Sequence, residues 1–169
     1  VHADMSPPLA WANTRELLRA HGLEETDTNR SQWVNEWRNM SDTAPILDNT
    51  LATWDMRSVA NEDIGGTSSP LLTPKPGQRW CYFPQMVKHE ALIFMHWDSA
   101  RLSHRPCFHT AFSDPSAPAD APPRESVEAR LLVVYDQART RGCNESQSEA
   151  AAATVRPHVH MTGLFAQIR

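Results

Sequence analysis

Apolar and polar residues alternate along several segments of the chain, and this period of two predicts a protein built mainly from β-strands. The clearest segment is SVEARLLVVY, Ser126 to Tyr135, in which Glu128 and Arg130 alternate with apolar residues near its start. Such alternation is typical of a strand, because successive side chains point to opposite faces of a sheet. We therefore predict a strand over this segment.

Four shorter segments carry the same kind of signal, namely SQWVNEWR (31–38), RWCYF (79–83), EALIFMHW (90–97) and CFHTAF (107–112). Each predicts one further strand. In the first of them, the side chains of Trp33, Asn35 and Trp37 are expected on one face. The region between the first two segments is rich in glycine and proline, and we predict loops there.

One helix is predicted near the start of the chain. Ser6 is suited to the N-cap position and Pro7 to the first helical position, and Gly22 is suited to close the helix. We therefore predict a helix from Pro7 to His21. Several strands with one clear helix indicate a mainly β protein, an antiparallel sheet or barrel with flanking helices.

The length of 169 residues fits one domain with its own core. The strand signals end near residue 136, and the alanine-rich segment 144–155 favours a short helix or a mobile linker. We therefore predict a domain over residues 1–136 and a tail over residues 137–169. The chain begins at Val1 without an initiator Met, already in a strand-like VHA, which leaves open that N-terminal elements are missing.

Composition narrows the classes of partner. The net charge is -4 with a pI near 6.0, and no block of Lys and Arg stands out, so we expect no nucleic-acid partner. No apolar run approaches the length of a membrane span, so we expect no membrane partner. The three cysteines are odd in number and form no Cys-x-x-Cys, which indicates reduced thiols and a cytoplasmic protein.

A candidate metal-binding motif, His2-Ala3-Asp4, stands at the beginning of the chain. On a strand these two side chains point the same way, so an imidazole nitrogen and a carboxylate oxygen reach one ion together. A second histidine from another strand would complete the two-His, one-carboxylate triad of non-haem Fe(II) oxygenases, which leaves positions open for a cosubstrate and dioxygen. His96-Trp97-Asp98 has the same spacing, so the motif alone does not decide between the two.

The surroundings of His109 favour the first motif. A proline-rich loop follows this histidine and leads to Arg124-x-Ser126. In iron/2-oxoglutarate oxygenases an Arg, often in Arg-x-Ser, follows the distal His and holds the far carboxylate of the cosubstrate, since a guanidinium forms two parallel hydrogen bonds with a carboxylate. Alone, His109 is typical of a buried core histidine and Arg124 of a surface residue. Only the combination points to a metal site.

A competing ligand set consists of His96 and Asp98 with His158 or His160. No Arg-x-Ser follows it in the sequence. We therefore prefer the set of His2, Asp4 and His109, and we interpret the two histidines of the tail as solvated, although a short metal-binding tract there is the alternative.

Five segments together resemble a known family of fungal and bacterial hydroxylase/desaturases of secondary metabolism. This family includes gibberellin-desaturase-like proteins and relatives of a cephamycin methoxylation subunit. The matching segments cover most of residues 1–136 in the family's order, and the last is the most specific: VHADMSP, VNEWRNM, LATWDMRSV, RWCYFPQMVKHEALIFMHWDS and FHTAFSDPSAPADAPPRESVEARLLVVYD.

The resemblance implies a double-stranded β-helix, that is, a jelly-roll or cupin-like fold, and a site for Fe(II) and 2-oxoglutarate. By position in the motifs, it implies His2, Asp4 and His109 as the iron ligands. It implies Arg124 and Ser126 as the residues that hold the cosubstrate.

Four more residues fall in the family's motifs. The resemblance implies Asn35 near the cofactor and Arg38 near the substrate, and it suggests Trp80 and Tyr82 as walls of the substrate pocket. The implied activity is Fe(II)/2-oxoglutarate-dependent hydroxylation or desaturation of a C–H bond in a small secondary metabolite, with dioxygen as the second partner.

Two alternatives stay open for the function. A truncated or non-catalytic member of the family would act as a binding protein or subunit. An iron enzyme that takes a ligand from its substrate instead of 2-oxoglutarate is the other, and Arg124-x-Ser126 argues against it. The oligomeric state is also open, a homodimer included.

Overall fold

The computed structural model of the chain describes residues 1–25, 28–65, 70–101 and 105–136. Helix α1 covers Pro7–Ala20, with Ser6 in extended conformation before it and Pro at its first positions. Gly22 follows it with φ 69°, a left-handed conformation that suits glycine at a helix end. The predicted helix is thus confirmed to within one residue. The predicted tail lies outside the described residues.

In the described residues, eight strands and two short 3-10 turns, at Met56–Ser58 and Asn61–Asp63, make up the rest of the regular structure. In chain order the strands are β1 Thr28–Asn39, β2 Thr50–Trp54, β3 Ile64–Gly65, β4 Leu71–Leu72, β5 Trp80–Tyr82, β6 Ala91–Asp98, β7 His109–Phe112 and β8 Ser126–Asp136. All five predicted strands are confirmed. The region between β1 and β5, predicted to be rich in loops, also contains β2, β3 and β4, which the sequence did not predict. Since β2 is buried at almost every position, it shows no alternation that a pattern search would find.

The strands form two three-stranded antiparallel sheets, in the orders β6-β1-β8 and β5-β2-β7, and a short pair β3-β4. Trp37 of β1 and Phe94 of β6 belong to one buried apolar cluster with Leu51 of β2. The two larger sheets therefore face each other across a shared core. Helix α1 packs on the first sheet, where Ala10 joins a cluster with Trp33 and Trp97.

A β-bulge in β6 changes which side chains face this core. Trp33 of β1 pairs with Trp97 and the next residue, Val34, pairs with Met95, so His96 is the extra residue between them. A bulge of this kind interrupts the alternation and redirects the side chains that follow. His96 and Trp97 are consequently both buried among the residues on the core side of β1.

The N-terminal segment joins the second sheet. His2 forms isolated antiparallel bridges with Leu71 and with His109, and its carbonyl oxygen accepts a hydrogen bond of 3.1 Å from the His109 backbone N–H. The Ala3 N–H donates to the Pro70 carbonyl at 2.9 Å. These backbone contacts place residues 1–4 beside β7, at the same end of the core as His96.

Candidate metal centre

The carboxylate of Asp4 lies at the centre of a cluster of three imidazoles. Its Oδ1 is 3.3 Å from Nε2 of His2 and 3.6 Å from Nε2 of His109. These three side chains offer ligand atoms that all lie within 4.8 Å of one another. The structure therefore brings together three residues that are 107 positions apart at the extremes, and two imidazole nitrogens and one carboxylate oxygen converge as a metal ligand set requires.

A backbone carbonyl just before β7 orients the ring of His109. The residue is buried, and its Nδ1 is 3.1 Å from the carbonyl oxygen of Cys107. A carbonyl only accepts hydrogen bonds, so this contact requires a proton on Nδ1, and Nε2 is the ring nitrogen that faces Asp4. A second hydrogen bond that fixes the ring in this way is the usual support of a metal-binding histidine.

The other oxygen of Asp4 has different neighbours. Oδ2 accepts a hydrogen bond of 2.8 Å from Nδ2 of Asn35 and forms an ion pair with Nη2 of Arg130. Nε2 of His96 lies 3.2 Å from the same oxygen. Asn35 is on β1, His96 on β6 and Arg130 on β8, so all three strands of the first sheet contribute to this side of Asp4.

The environment sets the charges of these groups. Burial would raise the pKa of Asp4, but the contact with His96 and the nearby positive charges hold that pKa well below its ordinary value. Burial, together with the neighbouring His109, lowers the pKa of His2, and burial lowers the pKa of His96. At neutral pH the site therefore holds an ionised Asp4 carboxylate beside the neutral imidazoles of His2 and His96, and these are the forms in which such side chains bind metals.

Glu128 lies next to this cluster. Its Oε1 accepts a hydrogen bond from Nδ2 of Asn35, and burial, followed by the charge of Asp4, raises its pKa. Asp4, His96 and Glu128 form a second group whose ligand atoms lie within 4.8 Å of one another. Within the described residues, His96 thus groups with Oδ2 of Asp4 and not with the pair of histidines near Oδ1.

Among the residues that the structure describes, the second His-x-Asp motif does not form a ligand set. Because of the bulge at His96, Asp98 pairs with Gln32 and faces the side of β1 opposite to the core. Both its oxygens are occupied: Nε of Arg30 and the N–H of Ala100 donate to Oδ1 at 2.8 and 3.0 Å, and Gln32 donates to Oδ2 at 3.1 Å. The other histidines of the competing set, at 158 and 160, lie outside the described residues.

Arg124 and Ser126 are the residues predicted to hold the cosubstrate. Ser126 is the first residue of β8, and Arg124 lies two residues before it. Ser126 is buried and pairs with Asn39 of β1. Nη1 of Arg124 donates to the Asn49 carbonyl, and its guanidinium carbon lies 5.9 Å from the ring centroid of Trp37.

An apolar cluster lies between Arg124 and the candidate ligand His109. Trp37 and Phe94 belong to that cluster, and the Phe94 ring centroid is 5.0 Å from that of His109. Apolar side chains therefore extend from the candidate ligands toward Arg124.

Of the remaining predicted residues, Asn35 contacts Asp4 directly and Arg38 does not join the cluster. Arg38 is exposed and forms an ion pair with Glu36, on the face of β1 opposite to Asn35. Trp80 and Tyr82 lie on β5, at the edge of the second sheet, and are 38% and 44% exposed.

The exposed aromatic rings of β5 are held by neighbouring rings. Trp80 stacks on Trp54 with centroids 4.1 Å apart, and Tyr82 contacts Phe112 edge-on at 5.0 Å. Their apolar faces remain partly open to solvent.

Glu128 and Arg130 of the cluster were not predicted from the sequence, and His96 was considered only as part of the competing ligand set with Asp98. The alternation in β8 contained a signal for the first two. If Ser126 faces the site, then Glu128 and Arg130, two and four positions further on, face it as well. In the structure Glu128 and Arg130 both face the core, and Ala129 between them faces away. His96 carried no comparable signal, because its direction depends on the bulge.

The chain is similar in sequence to several fungal proteins. The chain is 34% identical over 137 residues to aspirochlorine biosynthesis protein N of Aspergillus oryzae. It is 31% identical over 144 residues to the Fe(II)/2-oxoglutarate-dependent dioxygenase nvfI of Aspergillus novofumigatus, and 30% identical over 141 residues to the hydroxylase/desaturase asaB of Aspergillus flavus. The matches cover 72%, 79% and 68% of this chain, and 57%, 51% and 60% of the respective relatives. The chain thus spans a little over half the length of these curated relatives.

Solved structures agree with the sequence relatives. The iron and alpha-ketoglutarate-dependent endoperoxidase NvfI superposes with a TM-score of 0.67 at 29% identity, over 80% of this chain and 53% of that one. A second structure of NvfI, described as having a different conformation, gives a TM-score of 0.68. The expected class of fold, mainly β with a flanking helix and of the jelly-roll type found in these oxygenases, is confirmed.

Residues 1–134 match the family described as "Oxidoreductase/YMDC permease-like domain". The chain belongs to this family, and its similarity to fungal Fe(II)/2-oxoglutarate-dependent dioxygenases and hydroxylase/desaturases confirms the resemblance seen in the sequence. In the described ranges, no helix is both long and apolar enough to cross a membrane.

Proposed function

We propose that this chain carries the iron and cosubstrate site of an Fe(II)/2-oxoglutarate-dependent oxygenase that hydroxylates or desaturates a C–H bond of a small secondary metabolite. One observation carries the proposal: the ligand atoms of His2, Asp4 and His109 lie within 4.8 Å of one another. The names of the relatives, a dioxygenase and a hydroxylase/desaturase among them, support the same class of reaction.

The donor set fits Fe(II) on chemical grounds. Two imidazole nitrogens and one carboxylate oxygen are the protein ligands of the facial triad, which keeps three of six positions for other ligands. The Asp4 oxygen that faces His2 and His109 is the one that Asn35 and Arg130 leave uncovered. When bound, Fe(II) with 2-oxoglutarate and dioxygen supplies the oxidising power for attack on a C–H bond, and the protein supplies orientation and shielding.

Arg124 and Ser126 are proposed to bind the far carboxylate of 2-oxoglutarate. The guanidinium of Arg124 supplies a positive charge and paired N–H donors. The hydroxyl of Ser126, two residues further along the chain, supplies another donor. The apolar side chains of Trp37 and Phe94 line the side of the core between these two residues and His109. These apolar side chains would exclude water, and this would strengthen the interaction between the Arg124 guanidinium and the carboxylate of 2-oxoglutarate.

The substrate is proposed to be small and partly apolar, with Trp80 and Tyr82 available as contact surfaces. Both rings offer an apolar face and a polar edge, and both are partly exposed. Small-molecule substrate and dioxygen are then the expected partners, without nucleic acid or membrane. A cytoplasmic location is proposed from Cys81 and Cys107, which are unpaired.

The proposal is tested by anaerobic addition of Fe(II) and 2-oxoglutarate to the metal-free protein. We expect the visible charge-transfer band of an Fe(II)–2-oxoglutarate complex, and succinate formation when oxygen is admitted. The His109→Ala variant should lose both, because one of three protein ligands is gone. The matched control is His89→Ala, which removes an exposed histidine outside both candidate ligand groups. Equal signals in the wild type and His109→Ala would contradict the proposal.

The same experiment separates the alternatives. A band without succinate, with or without substrate candidates, would favour a binding protein or subunit. Oxygen consumption that does not depend on 2-oxoglutarate would favour an iron enzyme with a substrate-derived ligand.

A further inference from the structure

The two oxygens of the Asp4 carboxylate lie in different surroundings. Oδ1 faces the Nε2 atoms of His2 and His109 at 3.3 and 3.6 Å. Oδ2 is covered by donors from the first sheet, the amide of Asn35 at 2.8 Å and the guanidinium of Arg130. The carboxylate is thus divided into an oxygen turned toward the candidate ligands and an oxygen held by the protein.

We propose that Arg130 and Asn35 are positioning residues of the metal centre, which hold Oδ2 so that Asp4 binds the metal through Oδ1 alone. This inference rests on the proposed function, because it requires a metal at His2, Asp4 and His109. Neither positioning residue contacts the metal. They act through the carboxylate.

The two positioning residues are themselves connected. Nε of Arg130 lies 3.4 Å from Oδ1 of Asn35 and donates to it, so the amide oxygen faces the guanidinium and the amide nitrogen faces Asp4. Asn35 has no exposed surface, and its pairing with Arg130 in the antiparallel register of β1 and β8 fixes both backbones. An amide that is buried and held at both ends keeps one orientation, and with it the carboxylate keeps one rotamer.

Arg130 also affects whether the second candidate group, Asp4, His96 and Glu128, can bind a cation. Asp4, His96 and Glu128 have ligand atoms close enough for a cation, but the guanidinium already lies against the Asp4 oxygen on that side. Two cations beside one carboxylate oxygen repel each other strongly in a buried site. We therefore infer that the cluster takes a single metal ion, at the His2 and His109 side.

The experiment measures metal affinity instead of turnover. The metal-free chain of 169 residues is titrated with Mn(II) and with Co(II), and the dissociation constant, the stoichiometry and the Co(II) visible spectrum are recorded. Loss of a partner that orients a metal ligand typically lowers metal affinity by about 10- to 100-fold. We expect a loss near the upper end of that range for Arg130→Gln, with an altered Co(II) spectrum as Oδ2 becomes available to the metal.

The chain offers a matched control in Arg30→Gln. Arg30 forms the equivalent arginine–aspartate pair with Asp98, on the opposite face of the same sheet. This variant removes the same chemistry from an aspartate that has no metal role, so it should lower thermal stability while leaving Mn(II) affinity unchanged. Arg130→Lys keeps the charge without the planar fork and should show a loss of about 10-fold.

The outcomes separate the two proposals. Absence of stoichiometric metal binding in the wild type would defeat the proposed function itself. One bound metal in the wild type, with Arg130→Gln equal to it in affinity or in Co(II) spectrum, would overturn the positioning role alone. If Arg130→Gln does not fold, Arg130→Lys is compared with Arg30→Lys, and equal Mn(II) affinities in this pair would overturn the inference in the same way.

Discussion

The chain contains two His-x-Asp motifs, and they differ in how the fold uses their aspartates. Asp4 and Asp98 are both well shielded from solvent, and each contacts an arginine and a side-chain amide of the first sheet, while Asp98 has a second ion pair with Arg101 at 3.8 Å. Asp98 uses both oxygens in such contacts, since Arg30 and Ala100 also donate to Oδ1. Asp4 uses only Oδ2, and its Oδ1 faces two imidazoles.

This difference shows that the spacing of a motif does not determine its chemistry. What distinguishes the two aspartates is the set of strands that surrounds each of them. The segment with Asp4 lies beside β7, which contributes His109, whereas the bulge in β6 turns Asp98 to the opposite face of the sheet. An aspartate with both oxygens saturated stabilises the fold, and one with an uncovered oxygen beside imidazoles is available to a cation.

The largest expected effect is on metal binding by Asp4→Asn. An amide has no negative charge and binds Fe(II) poorly, so affinity should fall by at least the roughly 100-fold that loss of an orienting partner causes. The Asp98→Asn variant should bind Fe(II) as the wild type does. Metal content after anaerobic loading and desalting checks both. Equal iron loss in the two variants would remove the distinction between the motifs.

The second effect concerns the stability of the folded protein and is tested with Asp98→Asn. Burial opposes ionisation of Asp98, but hydrogen bonds from Arg30 and Gln32 lower its pKa to about 2 from the ordinary 3.8. A lowered pKa stabilises the folded state above the ordinary value, and the stabilisation is lost as the pH falls through about 2. At about 1.4 kcal/mol per unit, this amounts to roughly 2 kcal/mol near neutral pH.

We therefore expect metal-free Asp98→Asn to be less stable than the wild type by about 2 kcal/mol at pH 7. The difference should shrink as the pH falls from 4 to 2, because the wild-type carboxylate then becomes protonated. Urea unfolding of both proteins at several pH values measures it. A difference that is constant over this range would show that the ion pair with Arg30 is not its cause.

The third effect tests whether the Asp4 motif is coupled to a cosubstrate site. Arg124→Gln should weaken 2-oxoglutarate binding by about 10- to 100-fold, since a hydrogen bond to a charged group contributes about 1.5–3 kcal/mol. Iron affinity should be unchanged. Titration of the Fe(II)-loaded protein with 2-oxoglutarate gives the affinity, and Arg105→Gln, which removes a guanidinium bound to the Val59 carbonyl, is the control. Unchanged affinity would exclude Arg124 from the site.

The smallest effect is expected from Gln32→Met. Gln32 donates a side-chain hydrogen bond to Asp98, as Asn35 does to Asp4. Gln32 also accepts a hydrogen bond of 2.7 Å from Tyr135. Its loss should cost about 1 kcal/mol of stability without any change in metal affinity. Thermal unfolding and the Mn(II) titration measure the two quantities. A loss of metal affinity here would mean that the two faces of the sheet are coupled.

Several parts of this architecture were open to prediction from the sequence, because they depend on local pattern. The alternation in β8, the helix signals at Ser6 and Pro7, and the common direction of His2 and Asp4 all follow from the period of one element. The approach of His109 to this pair was inferred from its position before Arg124-x-Ser126, and the structure places it there.

The rest depends on contacts between strands, which one sequence does not reveal. The bulge at His96 arises from the register of β6 against β1, so the direction of Asp98 was not predictable from spacing. The alternation in β8 places Glu128 and Arg130 on the same face as Ser126, but it does not show that this face is the inner one. There, Asp4 and Asn35 supply partners for their charges.

The most direct test is an anaerobic crystal structure of the chain with Fe(II) and 2-oxoglutarate. We predict one metal ion bound by Nε2 of His2, Nε2 of His109 and a single oxygen of Asp4, with the other oxygen still bound to Arg130. A metal ion bound by His96 and Glu128 instead, or one that Asp4 does not contact, would contradict it.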